Sequence, residues 1–174
     1  MVTRRTQAER REEAQRALVS AAIEVLGNEG VSAATLEKIG ARAGVSRGLA
    51  TYHYGSKLNM IRAVVEEIRT TTTRHLLGDP EPAPGLAGLD TLIERYLSIY
   101  AVKTPNGRAF MAIMVESFTA TPALSEIVVE HNRTFLDLFR DKIQEAQELG
   151  EVDPSVDAEA MGVLIASILR GIAS

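Results

Sequence analysis

This chain of 174 residues contains no cysteine. That absence excludes disulfides, thiolate metal sites and a cysteine nucleophile, and it fits a reducing compartment. No apolar run approaches the roughly 20 residues needed to cross a bilayer. The opening stretch MVTRRTQAERREEAQRA lacks the apolar centre of a signal peptide. Together these absences predict a soluble, cytoplasmic protein with no membrane partner. Strand signals are missing as well, since no alternating β-branched run is bounded by hairpin turns. The three histidines, His53, His75 and His131, are scattered. No glycine loop follows a strand, no ligands have metal spacing, and no nucleophile lies near a base, so the sequence does not read as an enzyme. No cofactor and no metal are expected.

What is present is a sizeable apolar fraction, 45%, enough to bury a core, with an ordinary 24% of charged residues. The net charge of −4 speaks against a nucleic-acid partner until its distribution is considered. Residues 1–77 hold 12 Lys and Arg against 8 Asp and Glu, whereas residues 78–174 hold 7 against 15. A basic front on an acidic rear suggests that only the first part meets a polyanion; chance variation of surface charge is the plainer alternative.

Helical periodicity runs through nearly the whole chain. Leu18, Ala21, Ala22, Val25 and Leu26 share one face of a first helix, which GNEG at 27–30 should end. Thr35 can cap a second helix with Leu36, Ile39 and Ala43 inward. Gly44 stops it, Ser46 caps a short third helix over 47–53, Gly55 breaks that one, and Ser56 caps a fourth bearing Ile61, Val64, Val65 and Ile68. Four threonines at 70–73 predict either a softened stretch or a solvated helical face. GDPEPAPGLAG at 78–88 reads as a linker. Further helices are expected through Leu89–Tyr100, from Pro105, from Pro122 and from about Val156. The chain ends just after that last apolar helix without a capping signal, which predicts that the native protein continues.

The stretch GVSRGLATYHYGSK, residues 44–57, is the most informative. Two helices joined by a tight glycine turn, with a third across them, form a helix-turn-helix. The second of the pair, 46–53, has the length to enter a major groove. Ser46 would turn free backbone N–H groups toward DNA, Arg47 can pair with guanine, and Gly48 removes a side chain so that the backbone can approach closely. Tyr52, His53 and Lys57 can reach phosphate, with Ala50 and Tyr54 inward. The plainer roles are core packing for Tyr52, helix capping for His53 and a solvated first-turn lysine for Lys57. Arg4, Arg5, Arg10 and Arg11 are either an arm toward the minor groove or a solvated tail.

Residues 35–65, TLEKIGARAGVSRGLATYHYGSKLNMIRAVV, resemble the DNA-binding segment of the TetR family of bacterial transcriptional regulators. Thr35, Ile39, Ala43, Gly44, Val45, Ser46, Gly48, His53, Tyr54, Ser56 and Lys57 match its pattern in order. The resemblance implies DNA contacts from Thr35, Glu37, Leu49 and Thr51 as well. Thr51 stands where the family usually has tyrosine, Glu37 where a basic or polar residue is frequent, and Leu49 where Thr or Ser is common. The docking mode carries over; the operator sequence does not.

The implied architecture is all-α. It comprises a helix-turn-helix DNA-binding domain over 1–57, a linking helix over 58–77, a linker over 78–88, and a helical ligand-binding and dimerisation domain over 89–174. The implied partners are a palindromic double-stranded DNA operator, a second copy of the chain, and an apolar or amphipathic small-molecule effector that releases a repressor. Tyr96, Tyr100, Phe110, Met111, Met114, Phe118, His131 and Phe135 are candidate pocket walls, with core packing as the alternative. Met161, Leu164, Ile165, Ile168, Leu169 and Ile172 are candidate dimer contacts, with the small residues Gly162, Ala166, Ser167 and Gly171 permitting close packing, or else they lie in the monomer core. A helical protein-interaction adaptor without sequence-specific DNA binding is the competing function.

Overall fold

A computed structural model describes residues 6–101, 104–119 and 122–173; the side chains of Tyr100, Ala101, Thr119 and Ala173 are outside that description, as are Arg4 and Arg5. The described residues form eight helices and no strand: α1 (Gln7–Ala33), α2 (Leu36–Arg42), α3 (Arg47–Tyr54), α4 (Lys57–Leu76), α5 (Gly85–Ala101), α6 (Pro105–Thr119), α7 (Pro122–Glu148) and α8 (Ala158–Ala173). Among them, no helix is long and apolar enough to cross a membrane.

Helix α1 starts earlier than a solvated tail would allow. Thr6 accepts a hydrogen bond from Glu9 N at 3.2 Å, and Glu9 accepts one from Thr6 N at 2.7 Å. This reciprocal capping box satisfies two backbone donors at once and fixes the helix start, so Arg10 and Arg11 are helical residues. The TQAE spacing carried that signal. At the other end Gly30 leaves helical geometry at φ 82°, within GNEG, before a last turn to Ala33.

The core has two parts. The first joins Leu18, Val25 and Leu26 of α1, Ile39, Ala50, and Met60, Ile61 and Val64 of α4 to Phe110 and Ile113 of α6 and Leu124 and Ile127 of α7. The second joins Leu76, Leu92, Tyr96, Phe135, Phe139, Ile143 and Leu169 from α4, α5, α7 and α8. Helices α4 and α7 run through both. The front of the molecule therefore shares its core with α6 and α7. Their contact is close at Gly27, where a Cβ would lie 3.2 Å from the Pro105 carbonyl oxygen and from the Arg108 Cβ.

Helix α4 passes unbroken through the four threonines, which are half-buried. Helix α5 begins at Gly85, inside the stretch expected to be linker. Glu145 on α7 accepts from Gly85 N at 3.1 Å, and Glu151 accepts from Leu86 N at 2.8 Å. Distant carboxylates cap this helix, so its start is not written locally. The rest of the linker is held by Arg95, which donates to the carbonyls of Leu76, Gly78 and Pro80 at 2.7–2.9 Å.

Candidate nucleic-acid interface

The turn between α2 and α3 is set by two glycines. Gly44 takes φ 70°, a left-handed conformation that costs little without a Cβ. At Gly40 a Cβ would stand 3.2 Å from the Val45 carbonyl oxygen. Its absence lets the chain fold back so that Val45 N donates to the Gly40 carbonyl at 2.9 Å. Sequence reasoning missed Gly40, because its role depends on a neighbour across the turn. Ser46 accepts from Leu49 N at 3.2 Å and caps α3. Gly55 ends α3 at φ 69°, and Ser56 accepts from Asn59 N at 3.2 Å to start α4. Ala50 is fully buried beneath α3. The Tyr54 hydroxyl is half-buried and donates to the Gln15 carbonyl at 3.4 Å, and burial raises its pKa.

These anchors leave the opposite side of α3 facing outward. Arg47, Gly48, Thr51 and Tyr52 are exposed, Tyr52 to 72%. A Cβ on Gly48 would meet only Ser46 Oγ, at 3.8 Å. No packing inside the chain requires a glycine there, although glycine disfavours a helix by up to about 1 kcal/mol relative to alanine. Arg47 pairs with Glu37 on α2 at 3.4 Å, with both side chains more than 70% exposed. Thr35, also exposed, spends its hydroxyl accepting from Lys38 N at 3.1 Å. Lys57 is half-buried and donates to the Ser32 carbonyl at 3.4 Å. His53 and Leu49 are half-buried beside the start of α1, where with Arg10, Arg11 and Tyr52 they line a groove of about 480 Å³. The His53 Nδ1 is buried there without a partner. The ten expected contact residues thus lie along α2, α3 and the start of α4, with two arginines of α1 beside them.

The chain has the sequence pattern of "Bacterial regulatory proteins, tetR family" over residues 18–64 and of "Tetracyclin repressor-like, C-terminal domain" over residues 85–174. It belongs to the TetR family. It is 27% identical to the HTH-type transcriptional regulator SrpR of Pseudomonas putida, across 98% of this chain and 78% of that one. It is 32% identical to the uncharacterized HTH-type transcriptional regulator TtgW, also of Pseudomonas putida, across 76% and 90% respectively. Its fold matches Salmonella enterica GusR with a TM-score of 0.80 at 22% identity, over 92% of this chain and 82% of that one. It also matches a TetR transcriptional regulator of Chloroflexus aurantiacus with a TM-score of 0.81 at 21% identity, over 94% and 84%. As a TetR-family protein it is a DNA-binding transcriptional regulator with an all-α fold.

In the rear half of this TetR-family chain, the expected pocket walls separate into three groups. Tyr96, Phe110 and Phe135 are buried, with Tyr96 and Phe135 ring centres 4.7 Å apart and Phe110 4.2 Å from the His131 ring. Met111, Met114 and His131 are half-buried. Phe118 is not an inner wall: it is 81% exposed. The inward face of α6 follows Phe110, Ile113 and Ser117, which turns Phe118 outward by one helical step. The expected wall Tyr100 lies outside the described side chains.

The expected dimer residues also divide. Met161, Leu164, Ile168 and Ile172 are exposed, as is Val163 beside them. Leu169 is buried and Ile165 half-buried, and both pack into the second core. Gly162 and Ala166 face inward too. A Cβ on Gly162 would stand 3.1 Å from Arg140 N, so the small residues bring α8 onto α7 within one chain.

Proposed function

We propose that this regulator binds a palindromic operator as a dimer and acts as a repressor released by a small-molecule effector. The observation that carries the DNA-reading part is the outward face of α3, with an unneeded glycine and an exposed arginine at its capped N-terminus. On this reading Arg47 pairs with a guanine edge, and Gly48 admits the DNA backbone close to the helix. Thr51 touches a thymine methyl or a base edge. Tyr52, His53 and Lys57 contact phosphate, with Arg10 and Arg11 adding charge alongside. Lys57 must leave the Ser32 carbonyl to do so, a small change at 3.4 Å. Thr35, Glu37, Ser46 and Leu49 border the same surface. Glu37 releases Arg47 on docking, or accepts from a cytosine amine next to it.

The apolar strip Met161, Leu164, Ile168 and Ile172 would meet its equivalent on a second copy, giving the two-fold symmetry that a palindrome requires. Effector binding would draw on the buried aromatic residues Tyr96, Phe110 and Phe135, with His131 and the two methionines around them. Two proteins of the same fold hold small molecules: FadR of Bacillus subtilis, in complex with stearoyl-CoA, and a regulator of Saccharomonospora viridis, in complex with choline. An effector acts by preferring the conformation that does not bind DNA.

The test is selection of bound fragments from random DNA by the purified chain, followed by affinity against salt. An enriched palindrome whose affinity falls steeply with salt is the expected result. Salt-insensitive binding with no enriched sequence would favour a protein-interaction adaptor instead.

A further inference from the structure

The charged side chains of α2 divide by direction. Lys38 and Arg42 share one face of the helix and reach back to α1, Lys38 to Glu29 and Arg42 to Glu24, with Arg42 Nε 2.9 Å from the Glu24 carboxylate. These two pairs seat α2 on α1. Glu37 takes a different direction and meets Arg47 of α3, Nη1 to Oε2 at 3.4 Å, with both side chains exposed. Neither has a further ion-pair partner among the described residues. Their neighbours along the two helices, Ala41, Gly48 and Thr51, are exposed and small, so both charges stand clear at the surface.

A glutamate beside a DNA-reading helix needs a reason. An exposed ion pair adds little to folding, and a lone carboxylate is repelled by phosphates. The major-groove edge of a base pair supplies the reason. A G·C pair presents there two acceptors, guanine N7 and O6, and then one donor, the cytosine N4 amine. Guanine O6 and cytosine N4 are hydrogen-bonded to each other, hence about 3 Å apart. Arg47 and Glu37 offer donors and an acceptor at a similar separation, 3.4 Å.

Resting on the reading that α3 meets DNA, we propose that the Arg47–Glu37 pair docks intact and reads one G·C base pair across both strands, Arg47 taking the guanine and Glu37 its cytosine partner. Arg47 donates to guanine O6 and N7, and the cytosine N4 amine donates to a Glu37 carboxylate oxygen. The pair has no net charge, so Glu37 enters the phosphate field beside its own counter-ion. An A·T pair at this position sets the adenine N6 donor against the guanidinium and thymine O4 against the carboxylate, two mismatches at once. Reversal to C·G exchanges the donor and the acceptors, with the same result. Together the two residues fix both the identity and the strand of one operator position.

The test is fragment selection with the parent, Arg47→Ala and Glu37→Ala chains, followed by titration of operators altered one base pair at a time. Both variants should lose preference at the same G·C pair, each by about tenfold, with unchanged melting temperature. Their effects on random-sequence DNA should differ in sign. Arg47→Ala should bind it more weakly, and Glu37→Ala at least as tightly as the parent, because a negative charge is gone. A merely solvated glutamate would give that gain with no change of base preference. A second probe alters the DNA instead: pyrimidin-2-one, which lacks the N4 amine, replaces the cytosine of that pair. The parent should bind this operator about tenfold more weakly than the unmodified one, and Glu37→Ala should bind the two alike. Unaltered base preference in Glu37→Ala, a loss at a different position from that of Arg47→Ala, or an equal loss from pyrimidin-2-one in parent and variant would overturn the assignment. Each of these outcomes leaves the regulator reading standing as long as the parent selects a sequence; no selection by the parent would sink that reading itself.

Discussion

Gly48 occupies the second position of α3 with open space where a side chain would stand. Gly48→Ala should therefore stabilise the free protein, by up to about 1 kcal/mol. The same change should weaken operator binding, because the added methyl meets DNA. Thermal unfolding and operator titration of one variant give both signs, and a variant that binds DNA normally would remove Gly48 from the interface. Arg47→Ala should cost roughly 1–3 kcal/mol of specific affinity and relax base preference at one position of the operator. Repeating the fragment selection with the variant checks this. Loss of the Arg47–Glu37 pair itself should matter little to folding, since exposed pairs contribute about 0–1 kcal/mol. At this scale the sequence was readable for the outward exposure of Arg47 and Tyr52, which the local helix pattern sets. It was unreadable where packing across a turn or around a helix decides. Gly40, which meets Val45 across the turn, passed unnoticed for that reason, and Phe118 was given an inner face that the turn of α6 denies it.

Helix starts followed the sequence closely where a nearby side chain supplies the cap. Ser46, Ser56 and Thr35 do so within three residues of themselves. Helix α5 starts on carboxylates from α7 and the turn after it, which a local reading of GLAG cannot reveal. Ser46→Ala should lower stability by about 1 kcal/mol, measurable by denaturant unfolding, because the Leu49 N–H loses its side-chain acceptor and keeps only the Ser46 carbonyl at 3.0 Å. Helix α8 shows why periodicity alone left its role open. A helix apolar nearly all round has no face to choose, and only packing shows that Leu169 and Ala166 turn inward while Ile168 and Leu164 do not. Ile168→Glu is expected to leave monomer stability within about 0.5 kcal/mol, while shifting sedimentation from dimer to monomer. A variant that stays dimeric would place the interface elsewhere.

Across the whole molecule, the excess of basic residues before residue 78 and of acidic residues after it is the electrostatic signature of a protein that meets a polyanion with one end. Lys57→Ala should weaken binding to all DNA sequences alike and reduce the salt slope by about one. An unchanged slope would mean that Lys57 keeps its place on the Ser32 carbonyl. Stability should depend on pH through His131. Its folded pKa, about 4, lies below the ordinary 6.5, so the unfolded chain takes up a proton first as pH falls. Stability from this group is intact above about pH 6.5 and is lost progressively down to pH 4, by as much as about 3 kcal/mol. Denaturant midpoints from pH 7 to pH 4 should fall less steeply in His131→Gln than in the parent.

The front core reaches into α6 and the first half of α7, and this limits how the protein can be rebuilt. Grafting the DNA-reading part of this chain onto another sensor by cutting in the linker after α4 would strip Phe110, Ile113, Leu124 and Ile127 from beneath Leu18, Leu26 and Ile61. The excised piece would present an oily underside and aggregate. A working chimera should instead exchange only the exposed residues of α3, or carry α6 and the start of α7 along with the head. On the proposed reading of α3, new operator specificities are therefore best sought by substitution on that helix, not by transplanting a module.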